Sequence, residues 1–237
     1  AANQNDPDAL FNLGIIYEDG EYVERDINKA ISFYTLAADQ NHSDAQYNLG
    51  IIYEDGEYVQ RDINKAISFY TQAANQNHTS AQFNLGMIFD EGKYISKDIN
   101  KAIHYYTLAA DQNHLEAQYN LGLIFDEGKY VSRDINKAIY FYTLAANQNH
   151  SIAQFNLSCL YMDEQNLKQD IAKSFNYCLL AAKQNNHKAQ FNLGLFYYHG
   201  KYVKHDINKA INYLSLSAKQ NNKHAMFHLA VIYNEGK

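Results

Sequence analysis

The chain has few of the residues that staple or punctuate small folds: two cysteines, one proline and no tryptophan in 237 residues. Two cysteines do not make a disulfide framework. No apolar run approaches the ~18 residues that a membrane-spanning helix requires, so no membrane insertion is expected. Basic residues are outnumbered, with 20 Lys and Arg against 26 Asp and Glu and a formal charge of −6. That balance lacks the cationic footprint needed to neutralise phosphates, which argues against a nucleic-acid partner. With 46% hydrophobic and 14% aromatic residues, the composition is that of a soluble, core-forming chain.

What the sequence does contain is itself, several times over. "NLGIIYEDGEYVERDINKAISFYT" runs from Asn12 to Thr35 and recurs from Asn48 to Thr71 with Glu24 replaced by Gln60. Gly14, Gly50, Gly86 and Gly122 stand 36 apart, and the ladder continues through Ser158, Gly194 and Ala230. A second ladder, Gly20, Gly56, Gly92, Gly128, Gly200 and Gly236, keeps the same spacing, with Glu164 in the one gap. A fixed period of about 20 to 50 residues marks a solenoid, whose units bury their apolar faces only against their neighbours. The expected fold is an all-α, right-handed α-solenoid of helix-turn-helix repeats. It forms a single domain over 1–237 with repeats 6–41, 42–77, 78–113, 114–149, 150–185 and 186–221 and a partial one at 222–237. Near-identical copies are a poor way to assemble the unlike groups of a catalytic centre, so the chain is read as a non-enzyme without cofactor or metal.

Each unit divides into two helices. The first opens on a box such as Ser43-Asp44-Ala45-Gln46, repeated at Thr79 to Gln82 and Ser151 to Gln154, whose hydroxyl and amide are expected to cap each other's backbone donors. Asp6 before Pro7 opens the first copy in the same way. Ala9, Leu13, Ile16 and Tyr17 recur at helical spacing, and Gly20 can take the left-handed conformation that ends the helix. Asp26 caps the second helix, whose stripe is Ile27, Ala30, Ile31, Tyr34, Ala37 and Ala38 and whose end is expected near Asn41. Small residues at 14, 30, 37 and 38 let the two helices approach closely. The reading predicts roughly thirteen helices in an elongated superhelix.

The pattern carried by Ala45, Asn48, Leu49, Gly50, Tyr53, Gly56, Asp62, Lys65, Ala66, Tyr70, Ala73, Ala74 and Gln76 resembles the Sel-one-like repeat, a branch of the tetratricopeptide superfamily. Asn77 departs from it, where the family usually has glycine. The resemblance implies an α-solenoid adaptor that holds other proteins together and implies no catalytic residues. A protein or peptide partner is therefore expected. The alternative is a regulatory or targeting arm of a larger enzyme whose catalytic part lies outside this stretch. Ala1 to Asn5 aligns with Ala37 to Asn41, and the chain stops at Lys237 after an unpaired first helix, so a piece of a longer array is expected. Cut ends would leave Met226, Phe227 and Ile232 partly open and allow weak self-association.

Several residue sets invite sharper chemistry. His42, His78, His114 and His150 recur once per unit, too far apart to converge on one ion, and are read as turn residues. His224 and His228 share a helix face without an obvious third ligand. Cys159 and Cys178 occupy apolar positions and are read as buried free thiols. The acidic pairs Glu18-Asp19, Glu54-Asp55, Asp90-Glu91 and Asp126-Glu127 sit at helix C-termini, where negative charge is disfavoured. Arg25, Arg61, Lys97 and Arg133 follow them, whereas Met162-Asp163 is followed by Gln169 and Tyr198-His199 by His205. Local charge pairing and a stripe for a basic ligand both fit this pattern. The fifth unit replaces its loop with "DEQNLKQD", read as drift or as specialisation for a partner. Beyond it Lys183, Lys188, His199, His205, Lys219, Lys223 and His224 make that end more basic. Sparse cysteine favours the cytoplasm. Sequons at Asn41, Asn77 and Asn149 leave a lumenal or secreted location open.

The candidate binding site is a partner-binding groove on the first helices. At 100° per residue, positions 8, 12 and 19 lie on the opposite flank from Gly14, and in the superfamily the first helices line the concave face. Position 12 is Asn12, Asn48, Asn84, Asn120, Asn156 and Asn192. An amide offers two donors and an acceptor, which suits an extended peptide backbone. Equally, such an amide can bond a neighbouring helix. Position 8, through Asp8, Asp44, Glu116 and Lys188, would tune the ligand.

Overall fold

The computed structural model describes residues 6–163, 170–200, 203–234 and 236. Ala1 to Asn5, the variant loop from Glu164 through Gln169, and Lys237 lie outside the described residues. Among those described there are thirteen helices and no strand. The first helices of successive units are α1 (Pro7–Asp19), α3 (Ser43–Asp55), α5 (Thr79–Glu91), α7 (Leu115–Glu127), α9 (Ser151–Met162), α11 (His187–His199) and α13 (Lys223–Asn234). The second helices are α2 (Ile27–Ala38), α4 (Ile63–Asn75), α6 (Ile99–Asp111), α8 (Ile135–Asn147), α10 (Ile171–Lys183) and α12 (Ile207–Lys219). The solenoid is built from two compact units, 1–117 and 118–237.

The punctuation follows from single residues. Asp26, Asp62, Asp98, Asp134, Asp170 and Asp206 each accept the backbone N–H of the lysine three residues on, at 3.0–3.1 Å, and so start the second helices. These helices are followed by Asn41, Asn77, Asn113, Asn149, Asn185 and Asn221 with φ between 62° and 68°, a conformation that asparagine tolerates better than other side-chain-bearing residues. Within a pair, the close approach is set by the first glycine ladder. A Cβ on Gly50 would lie 2.5 Å from Tyr70 Cδ1, and one on Gly86 2.4 Å from Tyr106 Cδ1. Tyr34, Tyr70, Tyr106 and Tyr142 are thereby sealed in the core among Ala30- and Ala37-type residues.

The first helices do not start as their sequence suggests. Ser43, Thr79 and Ser151 are already helical, and the caps are His42, His78 and His150, whose Nδ1 accepts from the N–H of Ala45, Ala81 and Ala153 at 3.1–3.2 Å. His114 caps Ala117 likewise. The box glutamine cannot turn back to a cap because it is buried. Gln46 Nε2 donates to Ala38 O at 3.1 Å, and its Oε1 accepts from Gln76 Nε2 at 2.8 Å. The same amide relay joins Gln112 to Gln82 in the first unit. In the second it joins Gln148 to Gln118, Gln184 to Gln154 and Gln220 to Gln190.

Two further expectations change at the ends. Leu13, one of the apolar positions of the first helix, is 38% exposed, although its counterparts Leu49 and Leu85 are fully buried; among the described residues no helix packs on that side of α1. Met226 and Phe227 are open as expected, but Ile232 is buried, since it faces back onto Leu214 and Ala225.

Candidate functional site

Residues four, seven and eleven places apart share a helix face. On α1 that face is Asp8, Asn12, Ile15 and Asp19, on α3 it is Asp44, Asn48, Ile51 and Asp55, and on α5 it carries Asn84, Met87 and Glu91. These belong to the first unit. Asn12 is exposed, whereas Asn48 and Asn84 are half-buried. Their amides face the Tyr34 and Tyr70 hydroxyls of the preceding pair and oppose the upward push of burial on those phenols. Asp8 and Asp44 are exposed and approach Nε2 of the capping His42 and His78 of the next copy at 3.2 and 3.1 Å. Each imidazole also stacks on an aromatic ring of the preceding first helix, His42 on Phe11 at 4.6 Å and His78 on Tyr47 at 4.5 Å. The recurring histidines thus join the first helices of adjacent repeats as well as marking turns. Glu116 is exposed near the start of α7 and raises the pKa of His114, against a larger lowering by burial.

In the second unit Asn120, Asn156 and Asn192 are half-buried on α7, α9 and α11, with Leu123, Cys159 and Leu195 one turn on. Lys188 is exposed at the start of α11, its backbone N–H held by Asn186 Oδ1. The half-buried apolar position 15 was absent from the sequence reading. Its signal was available, because Ile15, Ile51, Met87, Leu123, Cys159 and Leu195 are apolar in all six copies, on a face whose other positions are polar except at Ile152.

The acidic pairs behave in two ways. In the third and fourth copies the base that follows takes the first acid: Lys97 Nζ lies 2.8 Å from Asp90 Oδ1, and Arg133 Nη2 lies 2.9 Å from Asp126 Oδ1. In the first two copies the acid is glutamate, one methylene longer, and reaches the core instead. Tyr34 Oη donates to Glu18 at 2.5 Å and Tyr70 Oη to Glu54 at 2.7 Å. Arg25 and Arg61 then donate Nε to the Glu18 and Glu54 carbonyls, and each lies 4.9 Å from the next copy's Tyr58 or Tyr94 ring. Burial pushes the Glu54 carboxyl above the usual range, and the charges of Asp55 and Glu91 push the same way.

Among the described residues no group of three or more His, Cys, Asp or Glu could hold a metal ion. His224 and His228 both lie against Phe191. Burial pushes the Cys159 and Cys178 thiols up to about 11 and about 12, far from the reactive thiolate range. No described helix is long and apolar enough to cross a membrane.

The Sel1 repeat family model matches the chain seven times in unbroken succession, at 7–42, 43–78, 79–114, 115–150, 151–186, 187–222 and 223–237. The chain belongs to the Sel1 repeat family. Among solved structures, this Sel1 repeat chain is similar to c5321, a protective antigen of uropathogenic Escherichia coli displaying an SLR fold, with 29% identity and a TM-score of 0.91. That match covers 100% of the chain but 50% of the antigen, so the chain spans half the length of that relative. A Sel1 repeat protein from Oxalobacter formigenes is 30% identical, with a TM-score of 0.73 over 98% of this chain and 67% of that one. No curated protein sequence matches the chain.

Proposed function

We propose that the chain is a non-catalytic scaffold that binds an extended peptide or protein segment along the first-helix face. The observation that carries this reading is the asparagine kept at one position of that face in six successive copies, from Asn12 to Asn192, beside an apolar residue one turn on. Side-chain amides can match the alternating donors and acceptors of an extended backbone, while the apolar position supplies contact area. Repetition at a fixed spacing suits a long ligand better than a compact one. Facing the tyrosine hydroxyls, the Asn48 and Asn84 amides keep hydrogen-bonding capacity for a partner.

The test is a partner isolated by affinity capture from the native cell, measured against the chain and against a variant with Asn48, Asn84 and Asn120 replaced by alanine. Binding weakened about tenfold or more, with the thermal midpoint little changed, supports the groove. Unchanged binding overturns it, and so does affinity that falls only in step with loss of the fold.

A further inference from the structure

Charge is divided very unevenly along this chain. Residues 1–117 hold 18 Asp and Glu against 7 Lys and Arg, a net −11, whereas 118–237 hold 8 against 13, a net +5. On the first-helix face of the acidic unit this excess is not neutralised from within. Arg25 and Arg61 are committed to main-chain carbonyls and tyrosine rings. Asp19, Asp55 and Glu91 are exposed, and no ion pair to them occurs among the described residues. They also end their helices, where the backbone dipole disfavours negative charge. Such an arrangement is stabilised by a cation from outside.

The same face has a place to receive one. A small cleft of about 40 Å³, room for a side-chain tip, is lined by Glu54, Met87, Ile88, Glu91, Lys93 and Tyr94. Met87 and Ile88 supply its apolar lining and Glu54 and Glu91 its acidic lining. Lys93 lies over the Tyr94 ring at 4.8 Å and is not ion-paired to either carboxylate among the described residues. The preceding copy has Glu57 at the position of Lys93, so the fold accepts either charge there.

We infer that the first-helix face of residues 1–117 docks an extended segment rich in arginine or lysine, one of whose side chains enters this cleft. Its methylene stem lies on Met87 and Ile88 and its cation is held by Glu54 and Glu91. This deepens the scaffold reading above and rests on it. The acidic balance of the unit speeds encounter with such a segment, and the cleft fixes its register.

The test uses the full chain and two short acetylated, amidated glycine-serine peptides, one carrying arginines and the other citrullines at the same places. Citrulline keeps the shape of arginine and removes the charge. Binding is followed by fluorescence anisotropy at low and moderate salt and by NMR shifts of Met87 and Tyr94. The arginine peptide should bind about tenfold or more tightly at low salt, weaken as salt rises, and shift both residues. Glu91→Gln should weaken it about two- to fivefold and Lys93→Glu should strengthen it by a similar factor. Glu127→Gln, which removes the equivalent charge from the second unit, should change little. Equal binding of the two peptides overturns the basic partner. Shifts at Asn48 and Asn84 with both peptides would nevertheless leave the groove in place. Equal losses in Glu91→Gln and Glu127→Gln would show charge attraction without a site and overturn the cleft.

Discussion

Placing serine at Gly50 would push a Cβ to 2.5 Å from Tyr70 Cδ1 and Cε1, about an ångström inside ordinary carbon contact at ~3.5–4.0 Å. Tyr70 is fully buried and its hydroxyl is tied to Glu54 at 2.7 Å, so the ring has no open space to enter. Gly50→Ser should therefore cost ~1–3 kcal/mol through overpacking. Tyr70→Cys alone should cost ~3–5 kcal/mol, since it removes most of an aromatic side chain and leaves a void. The chain already contains the combination. In the fifth copy Ser158 stands at the glycine position and Cys178 at the tyrosine position, both fully buried, and Ser174 Oγ donates to Ser158 O at 2.8 Å. Once the ring is gone, the clash that penalises serine is gone too. The double variant should thus be no less stable than Tyr70→Cys, with a coupling of about 1–3 kcal/mol in the cycle. Urea unfolding of all four proteins by far-UV circular dichroism measures it. Additivity within ~0.5 kcal/mol would refute the claim that ring contact fixes glycine there.

Tyr142 Oη is buried without a hydrogen-bond partner, because Asp126 is shorter than the glutamates that serve Tyr34 and Tyr70. Asp126→Glu should raise stability by about 1 kcal/mol in the same assay, with Arg133 keeping its bond to the main-chain carbonyl. Gln82→Leu should lower stability by ~1–3 kcal/mol by breaking the relay from Gln112 to Ala74, measured by thermal unfolding. Acid should destabilise the array through its caps, because a protonated Nδ1 cannot accept the helix N–H. Burial holds the pKa of His114 below the ordinary histidine range, against an opposing push from Glu116. The unfolded chain therefore binds that proton more readily. The contribution is fully present above about pH 6.5 and is lost as pH falls through that value toward the folded pKa. His114→Asn keeps a cap of the kind that Asn186 makes and should flatten the fall in thermal midpoint between about pH 7.5 and about pH 5. An unchanged slope would show that the cap is not the titrating element.

The period, the helix pairs, the left-handed Gly and Asn positions and the aspartate caps were legible because each depends on local chemistry at one residue. The first-helix caps were not. Ser43 and Gln46 form a valid box in isolation, but Gln46 is claimed by Ala38 and by Gln76, and a residue with two buried partners has nothing left for the helix end. The histidines were misweighted for a similar reason. Their sequence context is that of a turn, and only the fold brings Phe11 and Asp8 onto His42. The acidic pairs show how finely such outcomes divide: a single methylene sends Glu18 to a core hydroxyl and Asp90 to a surface lysine. For the groove, sequence showed that one amide recurs at one helix position. It could not show that Asn48 and Asn84 look toward tyrosine hydroxyls, because those belong to the preceding copy.

Each link of the amide relay spans 30 residues, as from Gln76 to Gln46, Gln112 to Gln82 and Gln184 to Gln154. The acceptor that any copy needs is therefore the same atom on whichever copy comes before it. Excising or duplicating a whole 36-residue block would present every donor with an equivalent acceptor, whereas a change of any other length would strand the amides on both sides of the junction. Recombination between near-identical coding segments generates whole-block changes, so alleles differing in copy number would each fold, and the reach of the binding surface could be inherited as a count.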